Sequence, residues 1–217
     1  MSQRGLFITL EGGEGAGKTT AMTAIEAALR EAGVDLLSTR EPGGTALGES
    51  LRRCLLEPST EPVAPMAELL MIFAARAQHL HERILPALHE GRWVLCDRFT
   101  DASFAYQGAG RQLGTAPVAA LESMVQGELR PDVTIVMDVP VEIGMDRARG
   151  RGVLDRFEQE DLEFFERVRA SYLERAARGG GRYYVIDAAR PLVAVQHAIR
   201  DVVKELIACP SVLEDDA

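Results

Sequence analysis

Residues 11–20 read EGGEGAGKTT. Gly12-x-x-x-x-Gly17-Lys18-Thr19 has the spacing of a P-loop, whose glycines let successive backbone N–H groups turn inward around an anion. Lys18 is placed to reach the terminal phosphates of a nucleotide, and the Thr19 hydroxyl to ligate Mg²⁺. The helix that starts here adds the positive end of its dipole. The expected nucleotide-binding loop therefore runs through Gly12, Gly13, Glu14, Gly15, Ala16, Gly17, Lys18, Thr19 and Thr20. Glu14 is out of character, because it adds a fixed anion where several more must bind. Since the amides face the phosphates, its side chain can point toward a neighbouring site. A carboxylate only accepts hydrogen bonds, so it suits a hydroxyl there and repels a phosphate. The alternative is a solvated glutamate.

Outward from this loop, short apolar runs alternate with longer helix-periodic segments, the pattern of a parallel sheet with helices on its faces. Strands are expected over 5–11, 34–39, 92–97, 133–139 and 182–187. Met22, Ile25 and Leu29 recur at helical spacing after the loop, and Gly33 is a plausible stop. The longest helical stretch is 64–89, with Leu69, Phe73, Leu80, Ile84 and Leu88 near one stripe and Pro86 expected to kink or interrupt its last turns. Further helices fit 45–57, 115–128, 141–149, 158–178 and 191–208. No repeat or linker marks a boundary, so one P-loop domain spanning 1–217 is expected, with a frayed tail.

The chain has 217 residues and is 47% hydrophobic, which suits one substantial core. A formal charge of −9 argues against a general nucleic-acid binder, although a few well-placed basic residues can still hold phosphates. Cys54, Cys96 and Cys209 are odd in number and widely spaced, so neither a disulfide framework nor a zinc site is expected. No stretch approaches the length of a membrane span. The expectation is a soluble protein of a reducing compartment, the cytoplasm.

Three other stretches fall at expected strand ends or on the segments that follow, where ligands of parallel α/β sheets bind. TREPGGT (39–45) follows the second strand, CDRF (96–99) ends the third, and DRARGRGVLDRFE (146–158) follows the fourth and its short helix. In the last, Arg147, Arg149, Arg151 and Arg156 accompany Gly150 and Gly152. Beside a P-loop this composition reads as a lid: glycines for hinge freedom, guanidiniums for developing phosphoryl charge. In isolation it would be a solvated basic face. Asp97 stands next to Arg98 and is read as metal support or as a group orienting Arg98; capping the next segment is the bland alternative.

Taken together, these residues resemble the thymidylate kinases, P-loop enzymes that phosphorylate dTMP to dTDP with Mg-ATP. The resemblance covers nearly the whole chain through EGGEGAGKTT, TREPGGT, FAARAQ (73–78), DRFTDASFAYQGAGR (97–111), RPDVTIVMDV (130–139) and the Arg-rich stretch ending LDRFEQED. It is nearest to the bacterial subclass that lacks an Arg in the P-loop, where Gly15 stands here, and keeps catalytic basic residues such as Arg149 and Arg151 in the lid. The resemblance implies that Lys18 and Arg98 are catalytic. It also implies that Glu14 faces the dTMP sugar and its 3′-hydroxyl, and that Glu41 lies beside the acceptor and metal region. Arg52 and Arg98 would hold the dTMP phosphate, and Arg76 would meet thymine O4 with Ser103 and Gln107 near the base edge. Tyr106 would pack beneath the sugar, leaving little room for a 2′-hydroxyl. Thr19 and Asp97 would support the metal, and the protein would be a homodimer acting on ATP and dTMP, with no nucleic-acid or membrane partner.

Elementary chemistry supports part of this. Arg only donates, so Arg76 matches the 4-carbonyl of thymine or uracil and mismatches the 4-amino group of cytosine. That mismatch should discriminate better than the thymine methyl, worth roughly 1–3 kcal/mol. One position departs from the family: where a Phe often stacks on thymine, four residues before this Arg, the chain has Ile72. Phe73 is adjacent and is the candidate substitute, or else a core aromatic. The rivals are another nucleoside or nucleoside-monophosphate kinase and a non-catalytic nucleotide switch, for which the lid arginines would be surplus.

Overall fold

The apolar runs become five parallel strands in a computed structural model that describes residues 4–57, 61–150 and 155–208. They are β1 (Phe7–Gly12), β2 (Leu36–Arg40), β3 (Trp93–Asp97), β4 (Val133–Asp138) and β5 (Tyr183–Asp187), in the order β2-β3-β1-β4-β5. All four pairings are parallel; Leu10 of the central β1 lies opposite Asp97 on one side and Ile135 on the other. Every residue of β1 is buried, as expected for a strand covered on both faces. The expected strands thus stand, each within two residues of its anticipated bounds.

The helices are α1 (Lys18–Glu31), α2 (Ala46–Leu56), α3 (Pro65–His79), α4 (Leu85–His89), α5 (Thr100–Ser103), α6 (Thr115–Gln126), α7 (Val141–Arg149), α8 (Leu162–Arg178) and α9 (Leu192–Ala208). One face of the sheet meets α1 and α9 through Ile8, Leu10, Ile25, Leu29, Ile199 and Val203. On the other, Phe7, Val94 and Cys96 pack with Leu80, Ile84, Leu88 and Phe99. A further cluster joins Val136 and Tyr106 to Phe164, Phe165, Val168 and Tyr172 of α8. Each fully buried Leu, Ile or Phe contributes about 1.5–3 kcal/mol, so these clusters hold the strand ends in place beneath the site.

Three segments differ from expectation. The 64–89 stretch is interrupted near its end, as Pro86 was expected to do, but by a π-helical turn upstream of the proline: Leu80–Ile84 lies between α3 and α4, and the Leu85 N–H reaches the Leu80 carbonyl. Pro86 lacks an N–H and its ring collides with the carbonyl four residues back, so the ladder widens just upstream. The 158–178 helix starts only at Leu162, where Asp161 caps it by accepting from the Phe164 N–H at 2.7 Å. Before it, Asp155 Oδ1 accepts from the N–H groups of Phe157 and Glu158 and folds the chain into turns. Finally, α5 and a π-helical segment Phe104–Gly110 occupy a region for which no helix was expected.

Cys209 and the tail lie outside the described residues, as do Arg151 and Gly152. Among the described residues no helix is long and apolar enough to cross a membrane.

Candidate active site

β1 delivers the chain into the loop at Gly12, whose φ of 138° is left-handed-side backbone; a Cβ there would lie 2.5 Å from the Met137 carbonyl oxygen. Gly15 is tighter, with φ 65° and a virtual Cβ 1.8 Å from the Gly144 oxygen. Glycine is required at both positions for close approach as well as for φ. Lys18 opens α1, and its Nζ folds back to donate to the carbonyls of Gly12 at 3.1 Å and Gly13 at 2.8 Å. Burial, and then the nearby Arg98, lower the Lys18 pKa to about 8.

A cavity of about 630 Å³ opens beside this loop, lined by residues 14–20, by Glu41 and Arg52, and by the Asp97–Arg98–Phe99 corner. Arg98 follows β3 in left-handed backbone, φ 68°, an uncommon conformation for a non-glycine residue. Its guanidinium is tied down on three sides. Nη2 donates to Glu14 Oε1 at 2.6 Å, while Nη1 donates to the Gly12 carbonyl at 2.9 Å and the Tyr172 hydroxyl at 3.2 Å. The Tyr106 ring lies 4.8 Å beneath it, and the Tyr106 hydroxyl donates to the same Glu14 oxygen at 2.7 Å. The anion in the loop is therefore matched by the guanidinium of the residue that follows β3 rather than left to oppose the nucleotide. Behind Arg98, buried Glu11 accepts from Tyr172 and from the Phe99 N–H, which braces the corner.

The far wall is built around Arg76 of α3, which is only 1% exposed. Its Nε donates to Glu41 at 2.7 Å, and Nη2 donates at 3.0 Å to both the Phe99 carbonyl and the Ser103 hydroxyl. Nη1 is buried without a hydrogen-bond partner. Glu41 is fixed in turn by His79 Nδ1 at 3.0 Å, and His79 Nε2 lies 2.7 Å from Thr39 Oγ1. Such a buried pair is held by its geometry, and breaking one partner away would cost several kcal/mol, of order 3–5. Ser103, Gln107 and Tyr106 line the cavity with Arg76. Arg52 lines it as well, donating from Nη1 to the Pro42 carbonyl at 2.9 Å.

Asp97 lines the same cavity, and its Oδ1 is buried with no partner. An orphaned carboxylate oxygen near Thr19 and the phosphate loop fits a hydrated divalent cation. Among the described residues no group of three or more His, Cys, Asp or Glu side chains forms a complete cage.

The four arginines of the 146–158 stretch divide. Arg147 lines the large cavity and donates to the Ala188 carbonyl at 2.9 Å. Arg149 is 60% exposed, sits 3.5 Å from Asp146 and does not line the large cavity. Arg151 lies outside the described residues. Arg156 is anchored, donating to the Leu55 carbonyl at 2.7 Å and to Glu68 at 2.6 Å. A second cavity of about 160 Å³ lies across the loop, lined by Thr20, Arg147, Ala188, Arg190, Leu192 and Gln196 among others.

The family model for thymidylate kinase matches residues 10–199. The chain belongs to the thymidylate kinase family. It is 62% identical to the thymidylate kinase of Pseudomonas entomophila (strain L48) over 195 residues, covering 90% of this chain and 93% of that one. It is 56% identical to the thymidylate kinase of Alcanivorax borkumensis (strain ATCC 700651 / DSM 11573 / NCIMB 13689 / SK2) over 206 residues, covering 95% and 99%. For that of Pseudomonas putida (strain W619) the identity is 61% over 194 residues, covering 89% and 94%.

Measured against the site expected of a thymidylate kinase, the structure gathers Glu14, Glu41, Arg52, Arg76, Asp97, Arg98, Ser103, Tyr106 and Gln107 around one cavity with Lys18 and Thr19. Among the expected substrate-binding residues Phe73 is the exception. It is 2% exposed, packs with Leu69, Phe104 and Val118, and lies 4.5 Å from the Arg76 guanidinium on the core side. Ile72 lines the cavity instead, because one step along a helix turns a side chain by about 100°. Sequence reasoning missed Glu11, Glu68, His79 and Tyr172, whose partners are 38 to 161 residues away, and it missed the second cavity. No local spacing announces such pairs; a His and a Glu on the stripe of a buried helix were the only signal.

Proposed function

We propose that the larger cavity is the acceptor site and the smaller one the base end of the donor site for the reaction of this family, ATP-dependent phosphorylation of dTMP to dTDP on the way to dTTP. The observation that carries this reading is the buried, unpartnered Nη1 of Arg76 on the wall opposite the phosphate loop. A buried donor without a partner is costly. A pyrimidine 4-carbonyl satisfies it and a 4-amino group does not. Ile72 would supply apolar contact to the ring, and Tyr106 would back the sugar.

Arg98 and Arg52 would hold the acceptor phosphate so that one of its oxygens faces the γ-phosphorus in line. That oxygen is already anionic, so no strong base is needed. Its bond to phosphorus forms as the bond to the β,γ-bridging oxygen breaks, and ADP leaves. Lys18 would release the Gly12 and Gly13 carbonyls and turn to the phosphates, following the charge as it shifts. Mg²⁺, bound through Asp97 and Thr19, would supply further neutralisation of that charge. We assign residues 146–158 to a lid in which Arg149 and Arg151 serve the transition state, within one kinase domain spanning the chain.

The protein is further proposed to be a cytoplasmic homodimer. Leu47, Met66, Leu70 and Met124 are large apolar side chains exposed on the packed helices α2, α3 and α6, which supports a partner there. The test of function is turnover of an acceptor panel with Mg-ATP. dTMP should be the best acceptor, with dUMP slower and dCMP and thymidine far behind. Hydrolysis of ATP without acceptor turnover would overturn the reading.

A further inference from the structure

Glu68 of α3 is fully buried, touches no part of the cavity and yet faces three donors. Its Oε1 accepts from Gln107 Nε2 at 2.8 Å, and its two oxygens lie 3.3 Å from Arg111 Nε. Its Oε2 accepts from Arg156 Nη2 at 2.6 Å. Two guanidiniums thus face one buried carboxylate and balance its charge.

We propose that Glu68 is a positioning residue for base selection: it fixes which end of the Gln107 amide is presented to the pyrimidine. The inference rests on the acceptor site proposed above. The two ends of a glutamine amide have nearly the same shape and opposite hydrogen-bonding character, so Gln107 alone cannot specify what it reads. A carboxylate accepts only, so the amide nitrogen must turn toward Glu68. The carbonyl oxygen is then the end left for the cavity that Gln107 lines with Arg76 and Ser103. The wall offers an acceptor from Gln107 and a donor from Arg76. Thymine presents the complement, an N3–H donor beside an O4 acceptor. Cytosine presents an N3 acceptor beside a 4-amino donor, and mismatches both. Ser103 adds little selectivity, because its oxygen already accepts from Arg76 and its own proton can rotate. Through Arg156, the same carboxylate also braces the end of the 146–158 stretch against α3.

The test is the ratio of kcat/KM for dTMP to that for dCMP. Glu68→Gln is nearly isosteric, and Arg111 keeps Glu160 at 2.5 Å while Arg156 keeps the Leu55 carbonyl. It gives the Gln107 amide a neighbour that accepts either end, so the ratio should fall by about tenfold or more, the scale of one mismatched buried hydrogen bond. Arg156→Met removes the lid brace and leaves the Glu68–Gln107 bond, so it should keep the parent ratio even if both rates drop. Should Glu68→Gln fail to fold, Gln107→Leu tests the same point with Glu68 still paired, and the ratio should fall there too. An unchanged ratio in Glu68→Gln or Gln107→Leu, or an equal fall in Arg156→Met, overturns the proposal. Arg76→Lys separates this from the underlying site assignment. If it lowers the ratio while the Glu68 and Gln107 variants do not, only the role of Glu68 fails. If it too leaves the ratio untouched, the acceptor site itself is misplaced.

Discussion

Replacing Glu14 by Gln asks directly why a phosphate loop keeps a carboxylate. In the structure one oxygen of Glu14 takes two hydrogen bonds, from Arg98 at 2.6 Å and from Tyr106 at 2.7 Å. Charge-assisted bonds are about twice as strong as neutral ones, and bonds to charged groups contribute about 1.5–3 kcal/mol. Gln keeps the acceptor oxygen and removes the charge, so about half of two such bonds is lost, roughly 2 kcal/mol. Both the Glu14 and Arg98 side chains are only 17% exposed, so solvent screening returns little of it. If Arg98 holds the acceptor phosphate, loosening it should lower kcat/KM for the acceptor by about 10–30-fold. ATP affinity should stay near the parent's or rise slightly, as a negative charge has left the loop. The assay is steady-state ADP release with dTMP and with its 3′-deoxy analogue as acceptors. Because the effect passes through Arg98, both acceptors should lose a similar factor. A large loss with dTMP and none with the 3′-deoxy analogue would refute this reasoning and show that the carboxylate serves the sugar hydroxyl, the role the family resemblance first assigned to it.

Lys18→Ala should keep the thermal stability of the parent and lose about 10²–10³-fold in kcat, measured by dTDP formation, since the lost contact strengthens in the transition state. Arg149→Ala and Arg151→Ala should each lower kcat more than they raise the KM for dTMP; unchanged kcat in both would make the stretch a solvated face. Glu11 provides a pH signature, because burial, and then Asp101, raise its pKa from 4.5 to about 7. Its protonated form is favoured in the fold, so that stability is present in full below the unfolded value of 4.5 and is lost as pH rises through about 7. Glu11→Gln should therefore gain melting temperature relative to the parent between about pH 5 and pH 8.5, with an upper limit on the order of 3 kcal/mol. Parallel melting profiles would contradict this.

The strands were legible because a strand buried on both faces is mostly apolar, and Phe7, Ile8 and Leu10 in β1 and Val133, Ile135, Val136 and Met137 in β4 carry that signal past Thr9 and Thr134. The phosphate loop was legible because its glycines serve backbone geometry that nothing else can satisfy, as the 1.8 Å clearance at Gly15 shows. The helix at 100–110 was hidden by Gly108 and Gly110, which lower local propensity; burial of Phe104, Ala105 and Tyr106 outweighs them. Gly110 is needed there, since a Cβ would meet the Phe164 ring at 2.6 Å. In the site, Arg76 and Arg98 could be named from motifs, but their supports could not. The Glu41–His79 bond spans 38 residues, Glu68–Gln107 spans 39 and Glu11–Tyr172 spans 161. Such pairs depend on how helices dock, which periodicity does not encode. Phe73 and Ile72 show the same limit, because both fit the apolar stripe and only the rotation of α3 decides which one reaches the cavity.

The most direct measurement is the structure of the ternary complex with dTMP and a non-hydrolysable ATP analogue in the presence of Mg²⁺. The account predicts thymine O4 within hydrogen-bonding distance of Arg76 Nη1, with the acceptor phosphate at Arg98 and Arg52. Lys18 should have left the Gly12 and Gly13 carbonyls for the triphosphate, and adenine should lie by Arg147, Arg190 and Gln196. Thymine found in that smaller cavity, or Arg76 Nη1 still unpartnered with dTMP bound, would contradict it.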